Sequence, residues 1–399
     1  MLMFCLCYVL FLTIPSIVID MLQISHIKAF AKKQAVILSP KDYAISANYS
    51  LANLRLSIIS HIFEALVFIA WVSFALARWQ DFLAEEAAFG FIIFVLGFVL
   101  INAFLQLPFS AYKQLRLDKA YGFSNVTWQI FLIDTLKSFA LIAVFGFLVL
   151  WLLLVIMDYA YWWLAGFGVV FLLVVLINAL YPTLIAPIFN TFTPLSDEAL
   201  SSKITELMNK AGFKASGVFV MDASRRDGRL NAYFGGLGRA KRVVLFDTLL
   251  EKVSSEGLLT ILAHELGHFK HKDILVNLLL SGIVLFALFF VAGNLPATFF
   301  AALGLQNNHA TSLTILLLIA PIVSFWLMPL IGYFSRKAEY RADAYSAQLT
   351  SAHCLREALV RLVNENKTFP HSHPVYVFFH YTHPPLLDRL RALDKLKQA

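Results

Sequence analysis

The chain has 399 residues, of which 59% are hydrophobic and only 14% charged, with a mean hydropathy of +0.73 and a formal net charge of +7. A soluble domain carries about a quarter charged residues, so the composition excludes an ordinary soluble protein and makes this a membrane protein. The basic excess lies in polar segments that hold no aromatic-basic binding module, which argues against a nucleic-acid partner.

Seven apolar runs of bilayer-spanning length are centred on residues 2–22, 56–78, 87–107, 138–158, 162–183, 273–297 and 312–334. The first lacks the basic start and small-residue cleavage site of a signal peptide and is expected to stay as a span. The loop after it carries Lys28, Lys32, Lys33, Lys41 and Arg55 against Asp42. Between spans two and three, Asp81, Glu85 and Glu86 outweigh Arg78; the next loop is basic again, with Lys113, Arg116 and Lys119. The link near Asp158 has no base, and the short loop at 299–311 has no charge. With seven spans, every basic segment falls on one side, expected to be cytoplasmic. A bacterial cytoplasmic membrane and a eukaryotic ER-type membrane both suit this pattern. Cys5 and Cys7 lie in the first span and Cys354 near the end, so no disulfide framework or Cys-type metal site is legible.

Two polar segments interrupt the spans. Pro182, Pro187 and Pro194 end the fifth span, and "SDEALSSKITELMNKAG" then reads as an amphipathic helix with Ser196 as its N-cap. The runs "VFVMD", "LNAYF" and "RVVLFD" follow, separated by Asp227-Gly228 and by Gly235, Gly236 and Gly238, which predicts a three-stranded meander. A helix is expected from about Ser255 through "EGLLTILAHELGH". The organisation predicted is residues 1–189, spans one to five with their loops; 190–272, a catalytic segment with the meander; 273–334, the hairpin of spans six and seven; and 335–399, a helical cytoplasmic segment.

His264, Glu265 and His268 spell H-E-x-x-H. Four positions on a helix are about 400° of rotation, so the two imidazoles share one face a turn apart and can bind one Zn²⁺. Glu265 is then the base that takes a proton from water activated by the metal. Two histidines and a glutamate at the mouth of an apolar run are costly unless they have a function. The hairpin supplies a third ligand. His268 stands about five residues before span six, and Glu339 in "AEYRAD" stands about five after span seven. Equal antiparallel helices bring both to one height, so His264, His268 and Glu339 are the expected ligands of one zinc per chain. Asp343, four residues on, is expected to orient a ligating histidine. The extended pattern H-E-x-x-H-x-x-G-x-x-H does not apply, since His271 and Ile274 occupy the positions it needs; His271 reads as an interface residue. No later span carries the Asp-Gly ligand motif of intramembrane site-two proteases.

"YGFSNVTWQIFLIDTLK", "LNAYFGGLGRAKRVVLFDTLL", "LAHELGHFKHKD", "EYRADAYS" and "YTHPPLLDRLRAL", in this order from about 115 to 395, resemble the type I CAAX prenyl protease family of integral-membrane zinc endopeptidases. The resemblance implies long helices around a water-filled chamber with the zinc site at its cytosolic end. His61, Glu64, Asn102, Gln106 and Asn178 within the spans are compatible with such a chamber or with interhelical contacts. It further implies that Asn231 lies on a substrate-binding strand, that His383 stabilises the developing oxyanion, and that Arg389 supports His383 or a substrate carboxylate. His371, His373 and His380 are expected to be structural or surface residues.

The expected fold is thus an all-α polytopic membrane protein of seven helices with a zincin-like α+β catalytic module. The expected function is a zinc metalloendopeptidase acting near the C-terminus of CAAX-type prenylated proteins or peptides, in contact with membrane lipid. A quality-control protease without prenyl specificity is the alternative substrate reading. A non-proteolytic zinc protein or a transporter is the alternative class; Glu265 argues against the first, and the lack of two related halves against the second.

Overall fold

The computed structural model describes residues 1–83, 88–235 and 241–396. Glu85, Glu86, Gly236 and Gly238 lie outside the described residues. Among the described residues, seven helices are long and apolar enough to cross a bilayer: α1 (Leu2–Phe30), α2 (Pro40–Phe82), α3 (Phe89–Ala120), α4 (Trp128–Ile156), α5 (Trp162–Phe189), and two later ones, Asp273–Gly293 and His309–Leu349. All seven expected spans are there, but most of the helices outrun their apolar windows. The hydropathy window marks immersion, whereas the helix continues wherever its backbone bonds and caps allow. Caps are visible at Ser39, whose hydroxyl accepts from Asp42 N, and at Thr127, which accepts from Ile130 N.

Some intramembrane polar residues hold helices together. Gln106 Nε2 reaches Glu64 Oε1 at 3.4 Å, and Trp71 Nε1 donates to Asn102 Oδ1 at 3.3 Å. Asn178 instead donates to Val174 O on its own helix, at 2.8 Å.

Between the fifth and sixth spans lies a small α+β module. It comprises β1 (Phe192–Pro194), α6 (Glu198–Lys210), β2 (Val218–Met221), β3 (Ala232–Gly235), β4 (Arg242–Phe246) and α7 (Ser255–Lys270). The N-cap of α6 is Asp197 rather than Ser196: its Oδ1 accepts from Leu200 N at 2.9 Å.

The sheet is not the meander that the strand runs predict. Its order is β1-β2-β4-β3, with β2 parallel to β4 and the other pairs antiparallel. Val243, Val244 and Leu245 are wholly buried, so β4 is covered on both faces and takes the centre. Asp227-Gly228 makes no hairpin turn. The segment pairs with "YGFSN" instead: Gly228 N donates to Phe123 O at 2.8 Å and Asn125 N to Arg226 O at 3.1 Å. Arg226 then clamps Asp134 on α4 through two bonds of 2.7 and 2.9 Å.

The helix α7 has two working faces. Ser254 caps it by accepting from Gly257 N at 3.2 Å. Leu258, Leu262 and Leu266 recur every four residues and are buried against Val243, Leu245 and Ile204; each such leucine contributes about 1.5–3 kcal/mol. His264 and His268 fall on the other side. Beyond α7, His271 and Lys272 (φ +56°) turn the chain into α8 (Asp273–Gly293), and α9 (His309–Leu349) returns beside it. The chain closes with α10 (Ala352–Glu365), α11 (Pro374–His380) and α12 (Leu386–Leu396).

Candidate functional site

On α9, Ala338, Glu339, Ala342, Asp343 and Ser346 form a buried stripe facing α7. Small residues bring the two helices together: a β-carbon on Gly267 would lie 2.8 Å from Ala342 Cα. Ser346 Oγ donates to Thr260 O at 2.8 Å and fixes the register.

This register brings His264, His268 and Glu339 together, with one donor atom from each lying within 4.8 Å of the others. His264 Nε2 is 3.4 Å from Glu339 Oε2, and His268 Nε2 is 3.2 Å from Glu339 Oε1. Both imidazoles present Nε2 to the shared centre because Nδ1 is engaged behind it. His264 Nδ1 lies 2.9 Å from Asp343 Oδ1, and His268 Nδ1 lies 3.0 Å from Asp273 Oδ2. A carboxylate behind each ring accepts its Nδ1–H and leaves the Nε2 lone pair free to ligate. Glu339 Oε2 is buried without a hydrogen-bond partner. Two imidazole nitrogens and a carboxylate around an unsatisfied buried oxygen are a donor set that fits a divalent metal.

The electrostatics agree. Burial alone would lower the His264 pKa, but the carboxylates of Asp343 and Glu339 beside the ring outweigh it and raise the ring to about 9. His268 is also raised, against its burial, chiefly by its bond to Glu339. Burial pushes the Glu265 carboxyl up.

Glu265 lines a cleft of about 580 Å³ together with His264, Glu339, Asn231, His383 and Arg389. Asn231 precedes β3, the edge strand of the sheet, and its Oδ1 accepts from Ala232 N at 2.9 Å. His383 is exposed to the cleft, with Nε2 at 3.3 Å from Glu339 Oε1. Arg389 turns to the acids of the site: Nε and Nη2 fork onto Asp343 at 2.8 and 2.6 Å, and Nη1 lies 3.4 Å from Glu339 Oε2. His380 also lines the cleft, whereas His371 stacks on Phe30 and His373 caps α11. His271 is exposed at the end of α7.

Asp273 is the site residue that sequence reasoning missed. It is 4% exposed, and Arg341 Nη2 holds its second oxygen at 2.6 Å. Its only signal is a position five residues after His268, at the start of a helix, where an aspartate has an ordinary explanation.

The fold and the cleft together define a multi-pass membrane metalloendopeptidase. Residues 194–397 match the model of peptidase family M48, and residues 20–191 match that of the CAAX prenyl protease N-terminal region of five membrane helices. A CAAX prenyl protease 1 homolog of Taenia solium is 29% identical over 90% of this chain and 87% of its own length. CAAX prenyl protease 1 of Saccharomyces cerevisiae is 32% identical over 75% of this chain and 70% of its own. The crystal structure of S. mikatae Ste24p superposes with a TM-score of 0.89 at 26% identity, covering 98% of this chain and 99% of that one. The chain belongs to the CAAX prenyl protease 1 family within peptidase family M48.

Proposed function

We propose that this protein is a zinc endopeptidase that cleaves near the C-terminus of CAAX-type proteins or peptides carrying a prenylated cysteine. The observation that carries the reading is Glu265 in one cleft with His264, Glu339 and the edge strand β3. In this reading His264, His268 and Glu339 hold the zinc. When bound, zinc supplies Lewis acidity that polarises the scissile carbonyl and acidifies water.

The chain's own residues supply the rest. An extended peptide adds to the free edge of β3, where Asn231 anchors its backbone. Glu265 takes the proton of the attacking water and passes it to the leaving amine. His383 faces the same cleft and donates to the oxygen that gains charge. Asp343 and Asp273 fix the two imidazoles. Arg389, bound to Asp343 and close to Glu339, holds the acids in place and acts as a positioning residue.

We further propose that residues 190–272 and 335–399 form the catalytic unit on the cytoplasmic face, joined by the hairpin 273–334 and carried by spans within 1–189. Neither family membership nor the intact base favours a transporter or a non-proteolytic zinc protein.

The test is metal content and peptide cleavage side by side on wild type and Glu339→Ala, with a farnesylated C-terminal peptide and its unlipidated twin as competing substrates. Loss of zinc and activity together supports the ligand set, and faster cleavage of the farnesylated peptide supports the specificity. Full zinc in the variant rejects Glu339 as ligand; equal rates reject prenyl specificity.

A further inference from the structure

Farther along the transmembrane hairpin, a small cavity of about 220 Å³ lies between α5, α8 and α9, lined mainly by carbon from residues such as Val174, Val284, Leu285, Leu288, Met328 and Ile331. Helix phase shows which way it faces. At about 100° per residue, Val284 and Leu288 lie within about 60° of Asp273, the residue behind His268. The slot residue Leu285 lies about 120° round on that same side of Asp273, and the exposed Leu279, Ile283, Phe286 and Phe290 lie about 80–140° round on the other. On α9, Met328 and Ile331 lie within about 80° of Glu339, while exposed Leu330 and Phe334 turn away. The slot is therefore on the face of the hairpin that carries the site, not on its outer apolar face.

The wall changes character along its length. Asn178, Asn277 and Ser335 stand on α5, α8 and α9 between the slot and the site, and all three are at least partly open in the structure. Polar side chains inside spans face an internal cavity or the bundle rather than lipid. Past them the lining is mainly hydrocarbon, interrupted by Ser281, whose hydroxyl donates to Asn277 O on its own helix, and by Ser324. The slot residues begin eight and end fifteen positions from Asp273 on α8 and from Glu339 on α9, which at 1.5 Å per residue is roughly 12–22 Å from the site.

We propose that this slot receives the distal isoprene units of the substrate's prenyl chain. The inference rests on the prenyl-peptide specificity proposed above. In such a substrate the prenyl thioether hangs from the cysteine near the scissile bond, so the chain starts beside His264, His268 and Glu339. The cleft around it has an apolar wall of its own, with Leu355, Leu359 and Leu362, but in the reading above that cleft is taken by the peptide. The slot is an apolar surface on the same face, at the depth where the end of such a chain arrives.

The test uses the purified full chain. Val284→Trp and Met328→Trp fill the slot, and each is expected to lower kcat/KM for a farnesylated peptide at least tenfold more than for its unlipidated twin. Met328→Ala widens the slot and is expected to shift preference from farnesyl toward geranylgeranyl. A variant that fails to fold loses both substrates together, and Met328→Ala then decides. A wild type that cleaves the farnesylated and unlipidated peptides equally overturns the prenyl reading and the slot with it. A wild type that prefers the farnesylated peptide, with all three variants keeping its preference, overturns the slot alone; the chain then lies in the bilayer, or a membrane lipid fills the slot.

Discussion

Gly267 and Ala342 touch where α7 crosses α9, so closely that a β-carbon on Gly267 would meet Ala342 Cα at 2.8 Å and its carbonyl oxygen at 3.2 Å. This contact sets the distance between the helix bearing His264 and His268 and the helix bearing Glu339. In an open helix Gly→Ala gains up to about 1 kcal/mol. Here the obstacle is backbone, which cannot swing aside, and overpacking costs about 1–3 kcal/mol. Gly267→Ala is therefore expected to lower the melting temperature and weaken metal retention together. A more stable protein with full metal content would show that the helices are free to move apart.

Asp273→Asn keeps the size of the side chain but removes the charge behind His268. Loss of such a partner costs about 10–100-fold in metal affinity. Arg341 is partly exposed and water can solvate it once its partner is neutral, so little loss of fold stability is expected. Competition with a graded chelator reads the effect, and unchanged affinity would remove Asp273 from the site.

Glu265→Gln is expected to retain the metal and lose cleavage by about 10²–10⁴-fold, the usual share of a general base. Metal analysis and turnover on the same sample separate this from a loss of ligation. Turnover near the wild-type rate would rule out Glu265 as the base.

The raised His264 pKa gives a pH dependence with a definite sign. In the metal-free protein the ring holds its proton from its ordinary value of 6.5 up to about 9. The stabilisation from that proton is fully present below 6.5 and is lost as pH rises through about 9. Metal must displace the same proton, so apparent metal affinity is expected to climb across this window and level off above it. Affinity that is flat from pH 6.5 to 9 would contradict the hydrogen bonding assigned to His264.

The cluster of His264, His268 and Glu339 was legible because two periodicities carry it. Helical spacing put His264 and His268 on one face, and two apolar runs of similar length returned Glu339 to their height. Strands β2, β3 and β4 were legible from apolar runs, but β1 and the strand order were not. The position of β4 depends on burial over both faces, and the fate of Asp227-Gly228 depends on Phe123 and Asn125, about a hundred residues upstream. Asp273 and the destination of Arg389 were hidden for a similar reason. An acid at a helix start and an arginine on an amphipathic helix have ordinary local explanations, and only the packed fold aims them at the site.

The 41-residue α9 runs unbroken from one end of the seventh span to beyond Glu339, a rod of roughly 60 Å. His264 and His268 hang from a second rod, α8, through a link of two residues. The two rods act as a level: an extra turn in either would displace its ligands by about 5 Å and part the donors. Because both are long and apolar enough to cross one bilayer, they hold the cleft at a constant height relative to it. On the proposed prenyl-peptide reading, a substrate tethered to that membrane is sorted by how high its peptide bond stands, before any side chain is read.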